Sequence, residues 1–229
     1  MSFWKAKWWK IVGSLLLIYV VIAGFLMEVP RLPILNESIR NLHFHVPMWF
    51  GMFIVLFIAF IYSILYLYRS KLSDDLIAAE LTRVGIMFGI LGLLTGSIWA
   101  KYTWGSWWSG DIKQNMSAIT VLLYCAYWVL RASFQEDNDE GRGRIAAVWN
   151  IFSFCAMIPL IFIIPKMYDS LHPSNGGNEG FVVYDQLDNS LRFVFYPAVI
   201  GWTIVGLWLA SQRIRLQQLI YRKDGLLDD

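Results

Sequence analysis

The chain has 229 residues, of which 57% are hydrophobic and 16% charged, with a mean hydropathy of +0.50. Soluble domains average about 45–50% apolar and about 25% charged, so the composition excludes an ordinary soluble domain, and a net charge of +2 is too small to point to nucleic acid. The two cysteines, Cys125 and Cys155, sit inside apolar blocks without CxxC spacing, which excludes a thiol–disulfide transfer role.

The apolar residues fall in blocks of about 20, the length that crosses a bilayer core. The first runs from Trp8 to Met27, behind Lys5, Lys7 and Lys10. It is read as a retained helix rather than a cleaved signal, because Glu28-Val29-Pro30-Arg31 follows without an A-x-A cleavage pattern. The second runs from Pro47 to Tyr68, with proline in the first turn, where its missing N–H costs nothing. The third, Leu81 to Trp99, carries Gly85, Gly89, Gly92 and Gly96, a spacing that lets helices approach closely in lipid. The loop before it carries Asp74, Asp75 and Glu80. The fourth spans Met116 to Phe134, the fifth Ile145 to Ile164 with a kink at Pro159, and the sixth Phe193 to Ser211. The expected fold is therefore an all-α integral membrane protein, a single six-span domain covering 1–229.

Charge sets the orientation. Lys5, Lys7, Lys10, Arg69, Lys71, Arg83, Arg131, Arg142, Arg144, Arg213, Arg215, Arg222 and Lys223 flank one set of loop ends. Only Arg31, Arg40, Lys101, Lys113, Lys166 and Arg192 flank the other. The positive-inside rule puts both termini in the cytoplasm. Three loops then face outwards: Glu28 to Val46, Ala100 to Asn115, and Pro165 to Arg192. All three histidines fall there, His43 and His45 on the first loop and His172 on the third, and the middle loop holds the densest tryptophan run.

That run is Trp104-Gly105-Ser106-Trp107-Trp108-Ser109-Gly110-Asp111. An aromatic belt accounts for single tryptophans at an interface, but not for three in five residues interleaved with glycine and serine. A short interface-lying helix or turn would bring Trp104, Trp107, Trp108 and Asp111 to one face. Gly105 and Gly110 argue against a long helix. Flat indole faces suit a large planar ligand with a polar edge. Histidine is the commonest axial ligand of haem iron, and one histidine from each flanking loop would grip a macrocycle lying on the tryptophans. Two ligands leave no open site on iron, which suits holding haem rather than activating oxygen. His43 and His45 diverge by about 200° in a helix, so they are not expected to serve together.

Leu94-Thr95-Gly96-Ser97-Ile98-Trp99-Ala100-Lys101 followed by WGSWWSGD resembles the tryptophan-rich WWD signature of haem-handling proteins, and His45-Val46-Pro47 resembles that family's first histidine element. With six spans in a short chain, the sequence resembles the haem exporter protein C (CcmC) branch of the CcmC/CcsA family of cytochrome c maturation. The resemblance implies haem b at the outer, periplasmic face of the inner (cytoplasmic) membrane. It implies a platform of Trp99, Trp104, Gly105, Trp107, Trp108 and Asp111, with His45 and His172 as axial ligands. It further implies delivery to a membrane-anchored haem chaperone of the CcmE type, alongside an ABC-type transporter and small membrane subunits, with no enzymatic step by this chain. The family pattern has a further Trp before the Asp, where this chain has Gly110. The placement of the two ligands leads to an expected difference. His45 opens a helix beside Pro47 and is the fixed ligand; His172, on a loop rich in Pro, Ser, Asn and Gly, is the more easily displaced.

Three other classes fit less well. A haem lyase, attaching haem directly to apocytochrome c, is the main alternative, but lyases of the wider family are larger and carry extra spans and histidines. A b-type respiratory cytochrome needs histidines within its spans. A solute transporter needs ionisable residues along its path, and the span interiors are almost free of charge.

Overall fold

The computed structural model describes residues 7–31, 35–133, 139–172 and 189–227. It is all-helical among these residues. The helices are α1 (Trp8–Leu26), α2 (His45–Arg69), α3 (Leu72–Trp104), α4 (Ile112–Ala132), α5 (Asp139–Ile158) and α6 (Asn189–Lys223). A 3-10 helix, Asn36–His43, leads into α2, and a π-helical turn, Pro159–Ile163, extends α5. The expected kink at Pro159 is that turn. Proline has no N–H to give the preceding turn, and the backbone relaxes into wider i→i+5 bonding.

Five helical stretches among the described residues are long and apolar enough to cross a membrane, and the chain is a multi-pass helical membrane protein. Its outer surface is that of a lipid-solvated fold. Ile11, Leu15, Ile18 and Ile22 of α1, Leu122 and Val129 of α4, and Phe193 and Ile200 of α6 are all exposed. The expected fourth span corresponds to α4. It has 21 residues, about 31 Å at the rise of an α-helix, but Lys113, Gln114, Asn115, Ser117 and Thr120 make its first half more polar.

α2 is the central helix, packed against α3, α5 and α6, while α1 packs on α6. The main core is built from Met52, Val55, Leu56 and Ala59 of α2, Val84 and Phe88 of α3, Tyr124 of α4 and Met157 of α5. The glycines of α3 lie along its contact with α2: a Cβ at Gly85 would meet Leu56, at Gly92 Trp49, and at Gly96 His45. The close-packing face predicted for the third span is thus occupied within the chain.

α3 differs from its sequence reading. It starts at Leu72, not Leu81, and the connection from α2 is only Ser70 and Lys71. Asp74, Asp75 and Glu80 are therefore helical and buried, not displayed on a loop. The charges of Asp75 and Glu80 are compensated inside the bundle. Arg131 of α4 makes a two-pronged bond to Asp75, at 2.6 and 2.8 Å. Arg213 of α6 donates to Glu80. Nearby, Asn150 of α5 donates to Ser63 of α2 and to Thr82 of α3. Hydropathy reads these carboxylates as a loop because it scores each residue alone, whereas Asp75 and Glu80 find cations 56 and 133 positions away.

At the other end of the bundle, Arg40 of the 3-10 helix donates from Nη1 to the carbonyl oxygens of Gly24 and Met27. These are orphan acceptors at the C-terminus of α1. The same guanidinium bonds Glu37 through Nε. This tie holds the segment that delivers the start of α2.

Candidate functional site

α2 begins at His45, two residues earlier than the apolar pattern suggested. His45 is therefore the first helical residue rather than part of a free loop. Pro47 falls within the first turn, where backbone N–H groups have no intrahelical partner in any case. The side chain of His45 lies across α3 at Thr95 and Gly96. Its Nδ1 is 3.1 Å from Thr95 Oγ1, and a Cβ on Gly96 would come within 2.6 Å of its Cε1. Thr95 gives its own hydroxyl proton to the Leu91 carbonyl oxygen, at 2.8 Å. Toward His45 it can only accept, so the imidazole carries its proton on Nδ1 and leaves the Nε2 lone pair open.

His172 reaches the same region from the segment after α5. Its ring packs edge-on against Trp104, with centroids 4.8 Å apart, and lies 5.9 Å from Trp99. Trp99 and Trp104 touch each other at 5.0 Å. His45 and His172 are near enough to interact electrostatically. The Nε1–H of Trp99 is covered and finds no acceptor among the described residues.

Asp111 organises this corner. It caps the N-terminus of α4, with Oδ1 accepting from the Lys113 N–H at 2.9 Å. The same Oδ1 is 2.8 Å from His172 Nδ1. Its Oδ2 accepts from Ser170 Oγ at 2.8 Å and from the Leu171 N–H at 2.7 Å. Burial works to raise the Asp111 carboxyl, but the bonds from His172, Leu171 and Ser170 outweigh it and hold the group below the usual carboxylate range. Burial pushes the His172 imidazole below its ordinary value; the bond to Asp111 opposes this, and the positive charge of Lys113 adds to it. The pair rests as a carboxylate and a neutral imidazole whose Nδ1–H donates. His172 Nε2 is left as the free lone pair, the arrangement in which a carboxylate orients a metal-binding histidine.

The tryptophan run is arranged differently from its sequence reading. α3 continues through Trp104 and ends at Gly105, whose φ of +81° is the left-handed conformation that closes a helix. Residues 105–111 form an irregular loop, not a short helix, so Trp104, Trp107, Trp108 and Asp111 share no helical face. Trp104 instead joins Trp99 and His172. Trp107 and Trp108 stand 55% and 43% exposed. Their backbone is pinned: Ser97 donates to the Trp107 carbonyl and Ser106 to the Trp108 carbonyl. Trp108 Nε1 donates to Asn115. Glycine breaks the expected helix, and serine hydroxyls take over the backbone bonding.

His43 points elsewhere. It is 1% exposed, with its ring beside Gly24 of α1. Among the sequence-predicted residues, His45, His172, Trp99, Trp104 and Asp111 come together, Trp107 and Trp108 form an exposed rim, and Gly105 and Gly110 are backbone hinges. Thr95, Gly96 and Ser170 belong to the site and were not singled out by their chemistry; Thr95 and Gly96 were visible only as part of the stretch before the tryptophans.

Gly110 has φ +75° and nothing within 4 Å of where a Cβ would stand. A tryptophan there has space but the wrong backbone. Gly110→Trp is expected to lower thermal stability in detergent by roughly 1–2 kcal/mol, without a clash. An unchanged melting temperature would show that the loop can adopt another backbone path.

The family model described as CcmC, heme exporter protein C, matches residues 2–225. The heme exporter protein C of Escherichia coli strain K12 is 24% identical over 191 residues, covering 82% of this chain and 74% of that one. That of Haemophilus influenzae is 23% identical over 187 residues, covering 80% and 73%. The cytochrome c biogenesis protein CcsA of Pelargonium hortorum is 37% identical over 90 residues, covering 38% of this chain and 27% of its own length. With a match that runs over nearly the whole chain, the protein belongs to the heme exporter protein C (CcmC) family.

Proposed function

We propose that this chain is a single six-span domain of a cytochrome c maturation complex, handling haem b as cargo at the periplasmic face of the inner membrane. His45 and His172 hold the iron. Trp99 and Trp104 receive the macrocycle, and Trp107 and Trp108 form the rim over which haem leaves for a membrane-anchored chaperone of the CcmE type. An ABC-type transporter and small membrane subunits complete the assembly. α4 is the remaining span, and both termini are cytoplasmic.

The observation that carries this reading is the matched state of the two imidazoles. Each has its Nδ1–H held by an acceptor, Thr95 or Asp111, and each keeps Nε2 for a metal. The unpartnered Nε1–H of Trp99 adds a donor for the polar edge of a ligand. When bound, haem supplies an iron that takes two axial nitrogens; the protein supplies their orientation and the apolar walls. The 37% identity over 90 residues to CcsA, a protein named for cytochrome c biogenesis, is compatible with a second reading, a haem lyase, in which this chain would present haem to apocytochrome c directly.

The test uses the Trp107→Ala, Trp108→Ala double variant in membranes. Haem loading of the chaperone is expected to fall about tenfold or more, since stacking is worth roughly 0.5–1.5 kcal/mol per ring beyond buried area. Insertion should be intact. A cysteine at Ser106 should react with impermeant reagent from outside, and one at Ser70 should not, in a chain lacking Cys125 and Cys155. Undiminished chaperone loading would return the two tryptophans to a lipid-interface role. Labelling of Ser70→Cys from outside would invert the topology and end the delivery scheme.

A further inference from the structure

The two histidines are backed by different chemistry. Behind His172 stands an ionised carboxylate. Asp111 accepts its Nδ1–H at 2.8 Å and also accepts from Ser170 Oγ and the Leu171 N–H, so three successive residues are tied to one side chain that itself caps α4. Behind His45 stands a neutral hydroxyl. Thr95 Oγ1 accepts its Nδ1–H at 3.1 Å while committing its own proton to Leu91. The space at Gly96 lets the ring lie against α3. A hydrogen bond to an anion transfers more electron density to an imidazole than one to a neutral oxygen.

We infer that the pair is built unequal: His172 is the stronger donor and stays on the iron, while His45, held only by neutral oxygens of Thr95 and Gly92, is the ligand that lets go first when haem leaves. The inference rests on the haem-binding reading above. It reverses the order expected from the sequence. A loop position suggested that His172 would be loose, but Asp111 ties that loop to a helix terminus, and the helix-borne His45 has the weaker partner. Thr95 is then a positioning residue: its hydroxyl fixes the proton on Nδ1 and aims Nε2. The ligand exchange is simple. The bond from iron to His45 Nε2 breaks and an incoming ligand takes its place, with no change of iron oxidation state.

The test uses the purified full-length protein loaded with haem, reduced, and exposed to carbon monoxide, which replaces the first imidazole to leave. The vibrational spectrum of the adduct then reports the imidazole that remains opposite. Asp111→Asn keeps the helix cap but removes the anion, and it is expected to shift the Fe–C and C–O stretches. Thr95→Val should leave those frequencies unchanged while speeding carbon monoxide entry about tenfold, the low end of what losing a ligand's hydrogen-bond partner does to metal affinity. Thr95→Ser should restore the slow rate. The inference is overturned if Thr95→Val shifts the frequencies and Asp111→Asn does not, or if Thr95→Val leaves the entry rate unchanged. If Asp111→Asn fails to retain haem, the Thr95→Val and Thr95→Ser rates decide the question by themselves. A wild type that takes up no haem would overturn the haem reading itself, and that result cannot be confused with either of the others.

Discussion

His45→Ala and His172→Ala are each expected to abolish the low-spin, six-coordinate spectrum of the haem-bound protein, and His43→Ala to leave it nearly intact. With both imidazoles on the iron as proposed, removing either would take away one of its two axial nitrogens. The remaining ligand gives a five-coordinate or water-bound, high-spin centre, and added imidazole should partly rebuild the original spectrum. His43 is exempt because its ring is buried beside Gly24, away from Trp99 and Trp104. Acid provides an independent check. Iron needs the neutral imidazole, and burial holds the His172 pKa below its ordinary 6.5. Binding should therefore be complete above that value, and haem should be released only as the pH falls below it. Release beginning above pH 7 would contradict the buried, Asp111-linked state of His172. Loss of the spectrum in His43→Ala with retention in His45→Ala would reassign the ligand on α2.

How far the sequence foretold this site depends on the residue. His45 and His172 were legible because histidine is rare in the chain and sits at the ends of apolar blocks, which hydropathy marks well. Helical periodicity separated His43 from His45, and the choice of His45 between them rested on the resemblance of His45-Val46-Pro47 to the family's histidine element. Asp111 was legible only as part of a motif. Its role as the clamp on Ser170, Leu171 and His172 joins positions about 60 apart, which no local pattern encodes. Thr95 was invisible. A threonine in an apolar helix ordinarily bonds back to the carbonyl four residues earlier, and this one does. That it also accepts from His45 follows from how α2 crosses α3, and the crossing is set by Gly92 and Gly96. The tryptophan loop failed for a similar reason. Helical spacing grouped Trp104 with Trp107, Trp108 and Asp111, but the left-handed turn at Gly105 splits that set.

Arg131→Met is expected to destabilise the protein by about 3–5 kcal/mol, because it strands the buried Asp75 carboxylate. The two side chains are 9% and 3% exposed, so water cannot replace the lost partner. The double variant Asp75→Leu, Arg131→Met should recover most of the loss, since a pair of apolar side chains leaves no buried charge behind. Thermal unfolding in detergent, followed by circular dichroism, measures both. A single variant as stable as the wild type would mean that lipid headgroups or water already solvate Asp75. Position along α3 adds a control. Asp75 and Thr95 are about 30 Å apart along the helix axis, so the haem spectrum of the folded Arg131→Met protein should match the wild type. A changed spectrum would show that the two ends of the bundle are coupled.

In the proposed function, His45 and His172 together hold haem iron. Near-infrared magnetic circular dichroism of the oxidised, haem-loaded wild-type protein tests it most directly, because the charge-transfer band reports which two atoms occupy the axial positions. A bis-imidazole band is expected in the wild type, lost in both His45→Ala and His172→Ala. A histidine–methionine or histidine–water band in the wild type, or a bis-imidazole band that survives in both variants, would contradict it.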